Sequence, residues 1–297
     1  MTKFPRVVVA ALLCTGAACF FPHSKAADGD KPADSAKAPA NTDKTDKDAK
    51  TELRALINKI NEKLQSGKKD ESDFPDELKQ FDAIVDEHKG EKTDDVASVL
   101  MAKASLYIQV FQDNDKATEI LKTIQTDYPD TKAGMGAGRM INGLKKEAAA
   151  QKIQKSLVAG ATFPDFEDVK DLDGKPLSVA NYKGKTVLVD FWATWCGPCV
   201  GEMPNVIKTY QKYHDKGFEI IGVSLDQDKD SLTKFIKDNN MPWPQYFDGQ
   251  GWDNKLAAKY GIQSIPMNFL IDKDGKIIDK GLRGEDLDSA VSKAVGQ

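Results

Sequence analysis

The chain has 297 residues, 40% of them apolar and 30% charged, with a formal net charge of −4. That length suits two domains and a tail, and that balance excludes both a membrane-embedded chain and a wholly disordered one. A mildly acidic protein also gives no electrostatic reason for a nucleic-acid partner, and none is expected.

Lys3 and Arg6 precede an almost wholly apolar run at residues 7–21. At about 15 residues this run is shorter than the roughly 20 a spanning helix needs, and it fits the apolar centre of a secretory signal peptide. Ser24-Lys25-Ala26 places small residues before a cleavage point, so residues 1–26 read as a signal peptide and the protein as exported to the periplasm or cell envelope. Its removal takes away Lys3, Arg6 and Lys25 and leaves a net charge of about −7. The alternatives are an uncleaved anchor, or lipid attachment at Cys19 within Gly16-Ala17-Ala18-Cys19, either of which tethers the N-terminus to a membrane. Gly16 stands where such a lipid-attachment motif usually carries leucine. The cysteines are Cys14, Cys19, Cys196 and Cys199, which is no disulfide framework, and cleavage leaves only the last two. Residues 27–50 are mostly Ala, Asp, Lys, Thr and Pro. They lack the apolar surface to offset ordering entropy and read as a disordered linker.

Residues 51–158 read as helical. Leu53, Leu56, Ile57, Ile60 and Leu64 share one helix face. Pro75 opens a second helix with Leu78, Phe81, Ile84 and Val85, and a third follows Thr93 and runs inward to Phe111. A fourth starts near Asp115 and stops at Tyr128-Pro129. A fifth carries Met140, Ile141, Leu144 and Ile153 behind Gly134, Gly136 and Gly138, glycines that suit tight helix packing. Residues 94–131 resemble one tetratricopeptide (TPR) unit of about 34 residues, fewer repeats than a solenoid needs. The expectation is a small all-α, TPR-like domain that holds a protein partner, forms a dimer contact, or is a structural appendage.

From residue 159 to 297 the period changes to strands separated by turns. Asp173-Gly174 reads as a hairpin turn between residues 166–169 and 177–179. Residues 186–192 form a dense β-branched run suited to a central strand, and helical periodicity resumes over 200–213. A strand at 218–225, helices near 230–239 and 253–260, strands at 267–271 and 276–279, and a helix at 285–294 complete an α/β sandwich around a mixed sheet.

Where the first of these strands gives way to a helix stands Trp195-Cys196-Gly197-Pro198-Cys199. Unpaired N–H groups and the positive helix end favour a thiolate at Cys196, the species that attacks a disulfide. Cys199, one turn inward, then resolves the mixed disulfide. A zinc site lacks ligands, because the remaining candidates are His88 and His214, and covalent haem needs histidine where Val200 stands. No metal or cofactor is expected. A structural disulfide closing so short a loop would constrain little.

The segment from Val189 through Asp190, Phe191, Trp192, Ala193 and Thr194 to Cys199 resembles the thioredoxin active site. The stretch from about residue 159 to 297 resembles the TlpA/ResA-like exported thioredoxins, with further agreement at Gly160-Ala161-Thr162-Phe163-Pro164-Asp165-Phe166, Asn181-Tyr182-Lys183-Gly184-Lys185 and Ile265-Pro266. The resemblance implies a thioredoxin-like fold. It makes Asp190 the buried acid that moves a proton to or from the inner cysteine, and Pro266 a cis-proline. The backbone of Ile265, just before that proline, would pair with the incoming chain. It also implies that Glu202 tunes the thiols or substrate choice, that Pro204 bends the active-site helix, and that Trp192 and Trp195 shape an apolar rim. Each acid has a plainer alternative: Asp190 as a buried hydrogen-bonded carboxyl, Glu202 as a first-turn helix acid. Met267 departs from the threonine of many relatives. The Gly197-Pro198 dipeptide resembles that of reducing thioredoxin.

The function expected is therefore an exported thiol-disulfide oxidoreductase that reduces or exchanges disulfides of proteins and draws electrons from a membrane thiol protein. The alternatives are a thioredoxin-like peroxidase, for which Thr194 sits two residues before Cys196 instead of three, and a helical binding adaptor whose thioredoxin domain only docks.

Overall fold

The computed structural model describes residues 48–296. The expected signal peptide, Cys14, Cys19 and nearly all of the linker lie outside the described residues. Among the described residues no helix is long and apolar enough to cross a membrane. The described residues divide into two compact units, with the boundary between Leu144 and Lys145.

In the first unit, α1 (Ala49–Gln65) starts at Asp48, whose carboxylate accepts the Lys50 N–H, and buries Leu53, Leu56, Ile57 and Ile60. Proline at the first position of α2 (Pro75–Glu87) sacrifices no helical hydrogen bond. Thr93 caps α3 (Asp94–Leu106) and Asp113 caps α4 (Asn114–Asp127). α5 (Lys132–Ser156) runs across the division between the units. The inward faces close a core around Leu56, Phe74, Phe81, Val99, Leu121 and Ile124.

The third helix does not reach Phe111 as a regular α-helix. It widens into a π-helical stretch, Tyr107–Phe111, in which the Phe111 ring packs 5.6 Å from Phe74 and 5.2 Å from Tyr107. Of the closely spaced glycines, Gly134 is the one sterically required: a Cβ there would stand 1.9 Å from the Tyr128 carbonyl oxygen. Gly136 has open space around it.

The second unit is built on a five-stranded mixed sheet in the order β3-β2-β1-β4-β5. β1 (Thr186–Trp192) and β2 (Phe218–Ser224) are buried along their whole length and run parallel, with Thr186 opposite Phe218 and Trp192 opposite Ser224. This is the pattern the unbroken β-branched run required. β4 (Met267–Ile271) lies antiparallel on the other side of β1, and β5 (Ile277–Lys280) closes that edge. The helices of this unit after α5 are α6 (Gly197–Tyr213), α7 (Lys229–Asp238), the short α8 (Lys255–Lys259) and α9 (Gly284–Ala294). A strand the sequence did not announce, β3 (Gln245–Phe247), pairs parallel with β2; three residues between Pro244 and Asp248 are too few to show a period.

The expected hairpin around Asp173-Gly174 shrinks to a single bridge between Lys170 and Pro176. Its flanks are held by Asp165 in place of a strand ladder. The Asp165 carboxylate accepts from the backbone N–H groups of Phe166, Val179 and Ala180 and from the Ser178 hydroxyl. Burial alone would push this carboxyl up, but those hydrogen bonds outweigh burial and hold it below the usual carboxylate range.

Candidate active site

β1 delivers the chain to the carboxyl end of the sheet, where residues 193–195 turn it into α6. Cys196 is the N-cap residue of α6, and Pro198 in its first turn needs no N–H partner. Cys196 and Cys199 are joined as a disulfide, with their Cα atoms 5.2 Å apart. The Cys199 N–H points at Cys196 Sγ at 3.2 Å. Once the bond is reduced, that donor and the open helix end favour a Cys196 thiolate. Cys196 is 6% exposed and Cys199 2%, which makes Cys196 the outer sulfur.

The loop before β4 closes the other side of the pair. The Ile265–Pro266 peptide is cis, and the Ile265 carbonyl oxygen lies 3.7 Å from Cys196 Sγ. The structure therefore brings Ile265 and Pro266, distant in sequence, beside the cysteines. Trp195 is half-exposed on the turn itself, whereas Trp192 is buried and donates its indole N–H to Gln245 Oε1 at 3.0 Å. Trp192 thus belongs to the core and not to the rim.

Asp190 lies buried on β1, in register with Gly222 of β2 and Asn268 of β4. Burial first, and then the negative charge of Glu202, raise its carboxyl, the Arg283 guanidinium offsets part of the rise, and the net effect is a carboxyl pushed up to about 7. A group poised there can accept or return a proton near neutral pH. Glu202 is half-buried on α6, one turn beyond Cys199. Its Oε1 accepts the Gly284 N–H at 2.6 Å, so it caps the start of α9 as well as carrying charge toward Asp190.

Three residues that the sequence reading passed over complete the site. Arg283 donates to the Pro266 carbonyl oxygen at 2.6 Å and so ties the cis-proline loop to the start of α9. Asn268, buried on β4, exchanges two hydrogen bonds with the Leu282 backbone, each 2.9 Å, and fixes the segment that carries Arg283. Asp226, also buried, accepts from the Thr194 N–H and hydroxyl and holds the turn before Cys196. A signal for Arg283 was present: it is the one arginine in residues 159–297, where every other permanently cationic residue is lysine. A planar guanidinium can bond a carbonyl and still face a carboxyl, which a lysine does less well.

Arg283→Gln removes the positive charge beside Asp190. The acid limb of the pH–rate profile for disulfide exchange is expected to move to higher pH, because the carboxyl then deprotonates later. Arg283→Lys, which keeps the charge, is expected to move it much less. Stopped-flow rates across pH 5–9 read the difference.

Residues 158–297 match the Redoxin family model. The chain is 38% identical over 132 residues to the thiol-disulfide oxidoreductase ResA of Bacillus thuringiensis subsp. konkukian, covering 44% of this chain and 73% of that protein. It is 30% identical over 125 residues to ResA of Bacillus subtilis, covering 42% of this chain and 68% of that one. Among solved structures, the thioredoxin domain of a thiol-disulfide oxidoreductase from Bacteroides vulgatus shares 38% identity at a TM-score of 0.44, covering 48% of this chain and all of that one.

Proposed function

Because the chain belongs to the ResA family of thiol-disulfide oxidoreductases, we propose that it reduces or exchanges disulfides of other proteins outside the cytoplasm. The observation that carries this reading is the Cys196–Cys199 disulfide at the N-terminus of α6, with the Ile265 carbonyl beside the outer sulfur and the proton-accepting Asp190 buried on the adjoining strand.

In the reducing direction the Cys196 thiolate attacks one sulfur of the substrate disulfide, and the first substrate thiolate leaves. Cys199 then loses its proton to the Asp190 carboxylate and attacks Cys196 Sγ, and the second substrate thiolate leaves. The substrate gains two electrons, and the protein ends with the Cys196–Cys199 disulfide. A dithiol donor must return it to the reduced state, and in an oxidising compartment that donor is a membrane thiol protein fed from inside. The basic start and apolar run at residues 7–21 support export. The helical unit has its own core, with α3 packed on α4, which supports a TPR-like module; in this reading it holds a protein partner, with a dimer contact or a structural appendage as the alternatives.

Cys199→Ala stops the cycle after the first attack. Expressed with its N-terminus intact, this variant is expected to accumulate mixed disulfides with exported proteins, visible as dithiothreitol-sensitive bands above those of Cys196→Ser. Capture of no exported protein above that control would overturn the reading.

A further inference from the structure

This unit is able to bury an indole fully, as it does with Trp192 at 1% exposure, yet it leaves two others in water. Trp195 is 53% exposed and Trp252 48%, with ring centroids 6.0 Å apart and planes tilted by 58°. Trp195 immediately precedes Cys196, so the pair adjoins the reacting sulfur. Exposed apolar rings paired beside a reactive atom mark a surface that a partner covers.

Both rings are rigidly mounted. Asp226 holds Thr194, the neighbour of Trp195, through the Thr194 N–H at 3.1 Å and hydroxyl at 2.6 Å, and the Ser224 hydroxyl donates to the same carboxylate at 2.8 Å. The Ser224 carbonyl in turn accepts from Asn254 Nδ2 at 3.2 Å. Asn254 is fully buried, and its N–H closes the turn Gly251–Asp253 that carries Trp252 by donating to the Gly251 carbonyl. Gly251 sits at φ +56°, where a side chain is strained. One run of hydrogen bonds, from Thr194 through Asp226 and Ser224 to Asn254, therefore fixes the backbone that carries both indoles, and a surface ordered in advance loses little entropy on binding.

The occupant follows from what lies beside the platform. The Ile265 carbonyl, 3.7 Å from Cys196 Sγ, offers main-chain pairing to an extended segment. Such a segment projects alternate side chains into flanking pockets. We propose that Trp195 and Trp252 together seat a bulky apolar or aromatic side chain next to the reacting cysteine of an extended polypeptide, which makes Trp252 a specificity-determining residue. This rests on the disulfide-exchange reading above.

The test uses the full chain and two peptide disulfides that differ only in having phenylalanine or serine beside the cysteine, together with a small disulfide lacking any peptide. The wild-type protein is expected to favour the phenylalanine peptide by about tenfold in kcat/KM, mainly through KM. Trp252→Ala is expected to bring that ratio close to one, and Trp252→Phe to restore part of it. A merely structural role would slow all three substrates together and leave the ratio unchanged. Turnover with no side-chain preference, or a preference indifferent to Trp252, overturns this inference alone. No turnover of any disulfide by the wild-type protein overturns the exchange reading, and this inference with it.

Discussion

Cys196→Ser is expected to lower dithiothreitol-driven reduction of a protein disulfide by roughly a thousandfold or more, to near the uncatalysed rate. A serine hydroxyl stays protonated at neutral pH even at a helix N-terminus, so the Cys199 N–H and the open end of α6 have no anion to stabilise. Retention of substantial activity would show that Cys196 is not the attacking group. The variant would silence peroxidase chemistry as well, so the wild-type protein separates the two: turnover of hydrogen peroxide at rates comparable to disulfide reduction would favour the peroxidase alternative. Thr194, the residue closest to a peroxidase-type threonine, donates its hydroxyl to Asp226 at 2.6 Å and is committed to holding the turn.

Asp190→Asn is expected to change activity and stability in opposite directions. The asparagine cannot take the Cys199 proton, so resolution of the mixed disulfide should slow by roughly 10²-fold or more, the usual range for loss of a positioned acid–base group. Wild-type resolution should rise with pH through about 7, where the carboxyl ionises, and the variant should lack that limb. Stability runs the other way. The carboxyl ionises at about 7 in the fold and near 3.9 in the unfolded chain, so between these values the fold holds a proton that the unfolded chain has lost. The contribution of the neutral acid is complete below the unfolded value and disappears as pH rises through about 7. Above that, folding must bury a charge. Asparagine removes this penalty, and the variant is expected to be more stable at pH 8 by up to about 4 kcal/mol. Urea unfolding at pH 5 and pH 8 checks the sign: the gain should be small at the lower pH and large at the higher.

Much of the exchange site was legible without coordinates because its chemistry is local. Cys196, Gly197, Pro198 and Cys199 lie in one helical turn, and the apolar run ending at Trp192 announces the strand before it, whereas the role of Asp190 inside that run came from the family resemblance. Ile265 and Pro266 were reached by family resemblance, since nothing in their spacing points to Cys196. Trp192 lies in the core and not at the rim, because its buried indole packs against Phe235 of α7 and bonds Gln245 of β3, neighbours that the fold supplies and chain spacing does not.

Periodicity and capping residues by themselves determined the helices of the first unit, the buried central strands and the cysteine pair at a helix start, since each depends on residues within a few positions of one another. Only the tertiary structure could decide that Arg283 reaches the Pro266 carbonyl, that Glu202 caps α9, that Asp165 replaces a strand ladder, and that Trp252 meets Trp195. The Asp165 contacts close a loop of about 15 residues, and the others join segments brought close by the β3-β2-β1-β4-β5 order; neither kind leaves a period in the chain to read.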